Sequence, residues 1–261
     1  MSTLTAPEAV ARLAPVRTLL VALDFDGTLS PRQDDPMAAR MLPAARTAVD
    51  ALARLPHTVV ALVSGRSLGD LEIISEHTPD SPIHLAASHG AEFWHPGDGD
   101  AASASSEAEL AERDRLRAAA EAAVADLANV WIEPKTFGFA VHTRTADAAA
   151  TATAHERVEQ LMAAEGPAWR RRTGHDILEY ASRQDGKDTA VAALRALVHA
   201  DAVLFAGDDV TDEDALASLG PGDVGVRVGE GETAAAVRVA DIPAMAEFLA
   251  DLARARARHA G

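Results

Sequence analysis

The 261-residue chain contains no cysteine. Disulfides, thiolate zinc sites, iron–sulfur clusters and a cysteine nucleophile are therefore excluded, and any metal ion must be bound by oxygen or nitrogen ligands. Basic residues are also scarce, since 24 Lys and Arg stand against 40 Asp and Glu, which gives a formal net charge of −16. A surface this acidic repels nucleic acids and anionic membranes, so we expect neither as a partner.

Long apolar runs are missing as well. The first run extends only from Thr18 to Leu23 and is followed by Asp24, which makes it too short for a signal peptide or a membrane span. We therefore expect a soluble, cytoplasmic protein, and we expect a monomer. Only 3 Trp, 1 Tyr and 6 Phe are present although 48% of the residues are hydrophobic. This balance favours closely packed helices with small side chains over an aromatic-rich β-sandwich.

The apolar residues that are present form short runs between longer segments rich in alanine and leucine. Runs that are apolar almost throughout are typical of parallel strands covered by helices on both faces. The predicted strands are Thr18–Leu23, Thr58–Val63, Ile83–Ala87, Ala202–Ala206 and Val224–Val228. The predicted helices are Ala44–Leu55, Leu68–Ile74, Thr189–Val198 and Pro243–Arg256. This pattern predicts an α/β fold with a doubly wound, mostly parallel, Rossmann-like sheet.

Residues 106–184 show a different pattern, and we predict that they form a small α+β domain inserted into a core of residues 1–105 and 185–261. A stretch rich in Gly, Ala and Ser, Gly97–Ser106, is interpreted as a linker. We expect a hairpin turn at Thr173–Gly174. The predicted elements are the helices Glu107–Ala128 and Ala146–Ala164 and the strands Val130–Glu133, Phe137–His142, Trp169–Arg172 and Asp176–Tyr180.

The strongest chemical signal follows the first predicted strand, where the sequence reads Asp24-Phe25-Asp26-Gly27-Thr28. In a doubly wound sheet, ligands bind outside the carboxyl ends of the strands. Gly27 permits a turn that brings backbone amides near an anion, and Thr28 adds a hydroxyl donor. An EF-hand is excluded because Gly27 is the fourth residue of this loop rather than the sixth, and no Glu closes the loop.

A second acidic motif, Asp208-Asp209-Val210-Thr211-Asp212-Glu213-Asp214, follows the predicted strand Ala202–Ala206. Five acids within seven residues repel one another unless a cation or a helix N-terminus receives some of them. The acidic first turn of a helix accounts for Asp214 and Glu213. For the other acids, carboxylates without His or Cys favour Mg²⁺ over zinc, and Mg²⁺ is the ion that accompanies substrate phosphates.

Two weaker motifs complete the candidate site. Ser64-Gly65-Arg66 ends the second predicted strand, where a hydroxyl and a free amide suit phosphate oxygens, although this tripeptide by itself also suits an ordinary turn. Lys187 follows Asp185-Gly186 and opens a helix, which is a suitable place for a cation that screens a carboxylate from a phosphate. On its own, Lys187 equally suits the protein surface.

In their chain order, these motifs resemble the haloacid-dehalogenase superfamily of phosphohydrolases. More narrowly, the chain resembles the trehalose-6-phosphate phosphatase family from Leu19 to Val239. Two positions depart from the family, since Leu216 replaces its usual Phe and Lys187 is preceded rather than followed by Gly. The segments that carry the resemblance are Asp24-Phe25-Asp26-Gly27-Thr28-Leu29-Ser30-Pro31, Ser64-Gly65-Arg66, Ser88-His89-Gly90-Ala91-Glu92, Glu133-Pro134-Lys135 and Gly207-Asp208-Asp209-Val210-Thr211-Asp212-Glu213-Asp214.

The resemblance implies a haloacid-dehalogenase-like core and a Mg²⁺-dependent phosphomonoester hydrolase that works through an aspartyl-phosphate. It implies that Asp24 is the nucleophile and that Asp26 is the general acid and base. Further implied roles concern the metal ion, the phosphoryl oxygens and the orientation of both. The implied metal ligands are Asp24, the Asp26 carbonyl and Asp208. Ser64 and Lys187 are implied to hold the phosphoryl oxygens. Asp209 and Asp212 are implied to orient these groups from outside the ligand shell.

The same resemblance implies a sugar phosphate substrate, trehalose 6-phosphate, and a cap domain that recognises it. Glu133 and Lys135 are two residues apart, so they share one face of a strand, where they could also simply pair with each other. The arginine run Arg170–Arg172 is expected to be solvated surface. The implied substrate contacts are Thr28, Gly65, Arg66 and His89 in the core and Glu133, Lys135, Arg144 and Glu179 in the cap.

Two alternatives stay open. The first is a phosphatase for another sugar phosphate, such as sucrose phosphate or a glycosyl-phosphoglycerate. The second is a non-enzymatic phospho-acceptor similar to a bacterial receiver domain, which also combines an acidic pocket with Lys and a hydroxyl on a doubly wound sheet. Receiver domains are shorter, and they lack both a cap and an acid at the position of Asp26.

Overall fold

The computed structural model describes residues 3–102, 105–174 and 176–259. Met1–Ala102 and Asp185–Gly261 form one compact unit of the chain, and Ser103–Gln184 form another. They are called the larger and the smaller unit. Among the described residues, no helix is long and apolar enough to cross a lipid bilayer.

Strands and helices are numbered separately along the chain. The strands are β1 (Leu19–Leu23), β2 (Thr58–Val63), β3 (His84–Ala87), β4 (Glu92–His95), β5 (Gly99–Ala102), β6 (Trp131–Lys135), β7 (Gly138–His142), β8 (Arg170–Gly174), β9 (Ile177–Ala181), β10 (Ala202–Gly207), β11 (Val224–Val228) and β12 (Val237–Val239). The helices are α1 (Ala6–Leu13), α2 (Pro43–Ala53), α3 (Leu68–Ser75), α4 (Glu107–Val124), α5 (Ala148–Glu165), α6 (Lys187–Val198), α7 (Glu213–Ser218) and α8 (Ile242–His259).

The larger unit is built on one sheet with the strand order β12-β11-β10-β1-β2-β3-β4-β5. The strands from β12 to β3 are parallel, whereas β4 and β5 add an antiparallel hairpin at one edge. The predicted mostly parallel sheet is therefore confirmed. The interpretation of Gly97–Ser106 as a linker is wrong in part, because Gly99–Ala102 pair with β4. The small residues of β5 carry no strand signal of their own, since backbone pairing with a neighbour makes this strand.

Helices cover both faces of this sheet, as the uninterrupted apolar strands predict. Alternate residues of β1 point to opposite faces. Leu19, Val21 and Leu23 belong to the core layer that includes residues of α1, α2, α3 and α8, whereas Leu20 and Ala22 belong to the layer that includes residues of α6 and α7. Because both faces of the sheet are buried in this way, polar side chains of its central strands β1, β2, β3 and β10 are confined to the strand ends.

The smaller unit has a four-stranded antiparallel sheet in the order β6-β7-β9-β8. The predicted order of helix, two strands, helix and two strands is confirmed. One face of the sheet packs against α4 and α5 through apolar side chains, among them Phe139 and Leu178. On the opposite face, the register places Glu133, Ala140 and Glu179 side by side on neighbouring strands. One face therefore forms the core of this unit, and the other carries charged groups.

Local sequence signals predict some ends of helices and strands correctly and others incorrectly. Helix α4 begins after Ser106, whose hydroxyl accepts the amide of Glu109 while the Glu109 carboxylate accepts the amide of Ser106. The turn predicted at Thr173–Gly174 is wrong, because β8 continues through Gly174, which pairs with Ile177 of β9. The extended pairing of β8 with β9 outweighs the turn preference of Thr-Gly.

A buried arginine of α8 connects this C-terminal helix to other elements of the larger unit through hydrogen bonds. Arg256 is 5% exposed, and its guanidinium donates to Thr58 Oγ1 at 2.8 Å and to the backbone carbonyls of Leu13 and Val16 at 3.0 and 2.9 Å. It also donates to the carbonyl of His57 at 3.0 Å. One side chain thereby satisfies acceptors at the end of α1 and at the start of β2.

We expect Arg256→Met to lower the free energy of unfolding by about 2–3 kcal/mol, because it removes the hydrogen bonds to Thr58 and to the carbonyls of Leu13, Val16 and His57. Urea denaturation followed by circular dichroism measures this change. Arg254→Met is the matched control, since Arg254 lies on the same helix but is exposed and pairs with exposed Asp251. The control is expected to change stability by less than about 0.5 kcal/mol, and an equal loss in both variants would contradict the role of Arg256.

Candidate active site

The candidate site lies at the carboxyl ends of β1, β2 and β10. Asp24 is the first residue after β1, and its amide donates to the carbonyl of Ala206 in β10 at 2.9 Å. Ser64 is the first residue after β2, which pairs in parallel with β1. Asp208 is the first residue after β10. The parallel sheet therefore brings to one edge three predicted site residues that are far apart in the sequence.

Lys187 joins two of the predicted carboxylates. It is the first residue of α6, and its Nζ lies 2.6 Å from Asp24 Oδ1 and 2.6 Å from Asp212 Oδ1. The Thr28 hydroxyl donates to the other Asp24 oxygen, Oδ2, at 3.0 Å. All four side chains are buried. The two carboxylate oxygens of Asp24 are thus oriented by an ammonium and a hydroxyl.

Asp212 also holds the acidic loop that follows β10. Its Oδ2 accepts the backbone amides of Asp208 and Asp209 at 3.0 and 2.9 Å. The Asp208 carboxylate lies directly against Gly27, which has φ +87°, and a Cβ built on Gly27 would be 2.0 Å from Asp208 Oδ2. Glycine is therefore required here by the left-handed backbone and also by the close approach of a carboxylate.

Burial and the crowding of like charges shift the protonation of this cluster. Burial raises the pKa of Asp24 well above its usual range, and Lys187 opposes the shift while Asp212 and Asp208 add to it. Burial likewise raises the pKa of Asp208 to about 6, although Arg32 opposes it. Burial alone would lower the pKa of Lys187, but the carboxylates of Asp212 and Asp24 raise it, so the ammonium stays charged. Lys187 pairs with Asp24 and Asp212, and the nearby carboxylate of Asp208 adds further negative charge, which favours a further cation.

Three carboxylates lie close enough to share one metal ion. Ligand oxygens of Asp24, Asp208 and Asp212 all lie within 4.8 Å of one another. Asp208 Oδ1 is buried and has no hydrogen-bond partner among the described residues. Hard carboxylate oxygens without His or Cys are the donor set that suits Mg²⁺. The residues therefore fit the ion that the sequence implies. Asp212 lies within the same group, and its expected position outside the ligand shell stays a prediction.

The second acid of the first motif, Asp26, makes a different contact. Arg66 donates from Nε to Asp26 Oδ2 at 2.9 Å and from Nη2 to Oδ1 at 2.8 Å, which forms a bidentate pair. The buried Ser64 hydroxyl accepts the Arg66 amide at 3.2 Å. Between them, Gly65 lies against the ring of His89, where an added Cβ would be 2.6 Å from Nε2. The structure brings these predicted residues together, and their contacts with substrate stay predictions.

Arg32 is not among the predicted site residues, but it contacts the acidic loop. Its Nη2 lies 2.8 Å from Asp208 Oδ2 and 3.4 Å from Asp209 Oδ2. An arginine that follows Pro31 in a loop carries no local signal of function. Only the neighbouring position of β1 and β10 in the sheet places it beside acids far along the chain.

On the charged face of the smaller unit, Glu133 lies at the centre of a linked group. Its Oε1 accepts from Lys135 Nζ at 2.8 Å, and its Oε2 lies 2.5 Å from His142 Nε2. The ring of Trp131 stacks on His142 with 4.8 Å between the centroids. Burial alone would raise the pKa of Glu133, but His142 and Lys135 lower it to about 2. The pairing that the sequence leaves open is therefore present, and Glu133 is ionised at neutral pH.

Glu179 lies on the same face and contacts an arginine. Arg172 Nη1 is 3.4 Å from Glu179 Oε1, and the Arg172 side chain is only 9% exposed. The expectation that the whole run Arg170–Arg172 is solvated surface is thus wrong for Arg172, because the register of β8 and β9 aligns it with Glu179. Arg144 lies in the turn after β7, where it is exposed, rather than on the strand itself.

Comparison with known proteins adds an independent observation. A family model described as trehalose-phosphatase matches residues 22–241. The chain belongs to the trehalose-phosphatase family. It is 34% identical over 252 residues to the trehalose-phosphate phosphatase of Mycobacterium tuberculosis, an alignment that covers 90% of this chain. The chain spans 61% of the length of that relative.

Solved structures share the fold. The C-terminal domain of the C. albicans trehalose-6-phosphate phosphatase gives a TM-score of 0.84 at 22% identity, covering 97% of this chain and 98% of that one. A sugar phosphatase of the HAD superfamily gives 0.59 at 15% identity, covering 88% and 97%. The predicted haloacid-dehalogenase-like fold and the resemblance to the trehalose-phosphatase family are both confirmed. The family match spans residues of both units, and all the predicted site residues lie within it.

We expect Gly27→Ala to destabilise this trehalose-phosphatase family member more than Gly97→Ala does. Both glycines have nearly the same positive φ, +87° and +89°, but an added Cβ at Gly97 meets nothing within 4 Å. The backbone strain costs about 1 kcal/mol in each variant, and the overlap with Asp208 adds roughly 1–3 kcal/mol in Gly27→Ala alone. Equal midpoints of urea unfolding in the two variants would show that Asp208 does not pack tightly against Gly27.

Proposed function

We propose that the chain is a Mg²⁺-dependent phosphatase that hydrolyses trehalose 6-phosphate to trehalose and phosphate, a step of trehalose biosynthesis. The observation that carries this proposal is the environment of Asp24. This buried carboxylate is held by Lys187 Nζ at 2.6 Å and Thr28 Oγ1 at 3.0 Å, beside two further carboxylates. Such a carboxylate suits nucleophilic attack on a phosphomonoester. Membership of the trehalose-phosphatase family supports the choice of substrate.

In the proposed reaction, an Asp24 oxygen attacks phosphorus, so that a bond between this oxygen and phosphorus forms while the bond from phosphorus to the sugar oxygen breaks. Asp26 gives its proton to the departing sugar oxygen. Asp26 then takes a proton from water, whose oxygen attacks the aspartyl-phosphate and releases phosphate and the Asp24 carboxylate. The bidentate pair with Arg66 engages both oxygens of Asp26, so Arg66 has to release one of them before Asp26 can carry a proton.

The remaining core residues prepare this attack. Lys187 screens the negative charge of Asp24 from the incoming phosphate, and Ser64 holds a phosphoryl oxygen through its hydroxyl. We assign Mg²⁺ to the carboxylates of Asp24, Asp208 and Asp212, together with the backbone carbonyl of Asp26; the proximity of the three carboxylates supports this assignment. When bound, the ion neutralises charge on the transferring phosphoryl group.

We assign recognition of the sugar to the charged face of the smaller unit. Glu133 and Glu179 are carboxylates that can accept hydrogen bonds from sugar hydroxyls, and Lys135 can donate to them. Glu133 is preorganised because Lys135 and His142 hold its two oxygens. We assign Arg144, which lies in the turn after the same strand pair, to the phosphate.

Phosphate release from a panel of phosphate esters tests the proposed function. We expect the highest kcat/KM for trehalose 6-phosphate, with lower values for sucrose phosphate, glucosyl-phosphoglycerate and glucose 6-phosphate. Asp24→Asn should remove nearly all turnover of every ester, because an amide cannot form the acyl-phosphate. Near-normal turnover by this variant would refute the mechanism. Stable labelling of the wild-type protein without steady turnover would favour the phospho-acceptor alternative.

Metal removal tests the ligand group. We expect EDTA to abolish phosphatase activity and an excess of Mg²⁺ to restore it, since three carboxylates form the proposed site. Asp208→Asn should need a higher Mg²⁺ concentration for half-maximal activity. A preparation shown by elemental analysis to be metal-free and fully active would remove Asp208 from its assigned role.

Variants of the charged face test the substrate. A charged hydrogen bond to a sugar hydroxyl is worth roughly 1.5–3 kcal/mol, or about 10- to 100-fold in kcat/KM. We expect Glu133→Gln, Lys135→Met and Glu179→Gln each to lower kcat/KM for trehalose 6-phosphate by this factor while p-nitrophenyl phosphate, which is too small to reach them, is hydrolysed normally.

Glu159→Gln is the matched control for these variants, because Glu159 lies on α5 and pairs with exposed Arg171. It should leave the hydrolysis of both substrates unchanged. If the three test variants keep wild-type activity on trehalose 6-phosphate, the choice of substrate is wrong. If they lose activity on both esters together, the charged face serves the structure of the smaller unit instead.

A further inference from the structure

The loop that follows β1 places Arg32 beside the carboxylates of the proposed metal site. The Gly27 amide donates to the Ser30 carbonyl at 2.7 Å, and the Leu42 amide donates to the Leu29 carbonyl at 2.9 Å. These bonds fix the loop on both sides of Ser30. Arg32 follows two residues later, and its side chain reaches the acidic loop after β10.

Arg32 contacts one of the two oxygens of Asp208. Its Nη2 lies 2.8 Å from Asp208 Oδ2 and 3.4 Å from Asp209 Oδ2. The arginine side chain is 42% exposed, whereas that of Asp208 is only 13% exposed. The guanidinium therefore approaches from the solvent side and contacts a carboxylate that is mostly buried.

The two oxygens of Asp208 are consequently in different states. Oδ2 accepts from Arg32, whereas Oδ1 is buried and has no hydrogen-bond partner among the described residues. A buried carboxylate oxygen without a partner is costly unless a cation receives it. The contact with Arg32 thus leaves one oxygen of Asp208, Oδ1, available to bind a metal ion beside Asp24 and Asp212.

We propose that Arg32 is a positioning residue that orients Asp208 for the divalent cation. This inference rests on the metal site of the proposed function and not on its substrate. Hydrogen bonds to the outer oxygen of a metal-binding carboxylate commonly strengthen metal binding by fixing the ligand. The positive charge of Arg32 also repels a cation, but water around the exposed guanidinium weakens this repulsion. Orientation therefore outweighs repulsion, and losing Arg32 weakens metal binding.

Direct metal titration tests the proposal without any substrate. Tag-free protein is stripped with EDTA and freed of chelator, after which Mg²⁺ binding is measured by calorimetry and Mn²⁺ binding by the electron paramagnetic resonance signal of the free hydrated ion. We expect Arg32→Met to raise the Kd for both ions roughly tenfold. Arg32→Lys should restore part of the affinity, since an ammonium can still donate to Asp208. Arg254→Met, which removes an arginine of an exposed ion pair on α8, should bind as the wild type does.

Unchanged or tighter binding in Arg32→Met would overturn the proposal, and tighter binding would show that Arg32 competes with the cation. Thermal unfolding in EDTA verifies that each variant is folded, and Arg32→Gln takes the place of Arg32→Met if the latter is not. If the wild-type protein binds neither ion, the metal site of the proposed function and the role of Arg32 fail together. If the wild type binds and Arg32→Met binds equally well, only the role of Arg32 fails.

Discussion

The ion pairs of Lys187 are the interaction on which the rest of the larger unit's site depends. A buried ammonium between two buried carboxylates is stable only while both partners stay in place, because each unpaired charge would carry a large desolvation cost. Lys187 therefore fixes three elements relative to one another: the end of β1, the loop after β10 and the start of α6. Asp212 extends this constraint, since its second oxygen accepts two amides of the acidic loop.

The same constraint explains why so many acids can share a small volume. Each acid has its own partners in the cluster, since Asp24 is held by Lys187 and Thr28, Asp26 by Arg66, and Asp208 by Arg32. Asp208 Oδ1 keeps no hydrogen-bond partner among the described residues, and ligand oxygens of Asp24, Asp208 and Asp212 lie within 4.8 Å of one another, within reach of one ion. This excess of negative charge suits the divalent cation and the phosphate ester of the proposed function.

The sheet of the smaller unit has one face that forms its core and one face to which we assign sugar recognition in the proposed function. Its apolar face packs against two long helices and supplies the core. Its charged face holds Glu133 and Glu179 in ion pairs, so these carboxylates are oriented before any ligand arrives. Preorganised carboxylates lose little conformational freedom on binding, which is the property that a site for sugar hydroxyls requires. A separate unit with its own core can carry such groups without disturbing the larger unit's sheet.

The sequence by itself determined the parallel sheet, the order of elements in the smaller unit and the family, because buried strands leave apolar runs and the acidic motifs follow them directly. Only the tertiary structure decided the partners of the charged groups. Arg66 reaches Asp26 across 40 residues and Arg32 reaches Asp208 across 176, so no local pattern could reveal either pair. Strand β5 and the pairing of Arg172 with Glu179 were missed for a related reason: hydrogen bonds and register between strands are set by neighbours in space, and a single segment does not encode its neighbours.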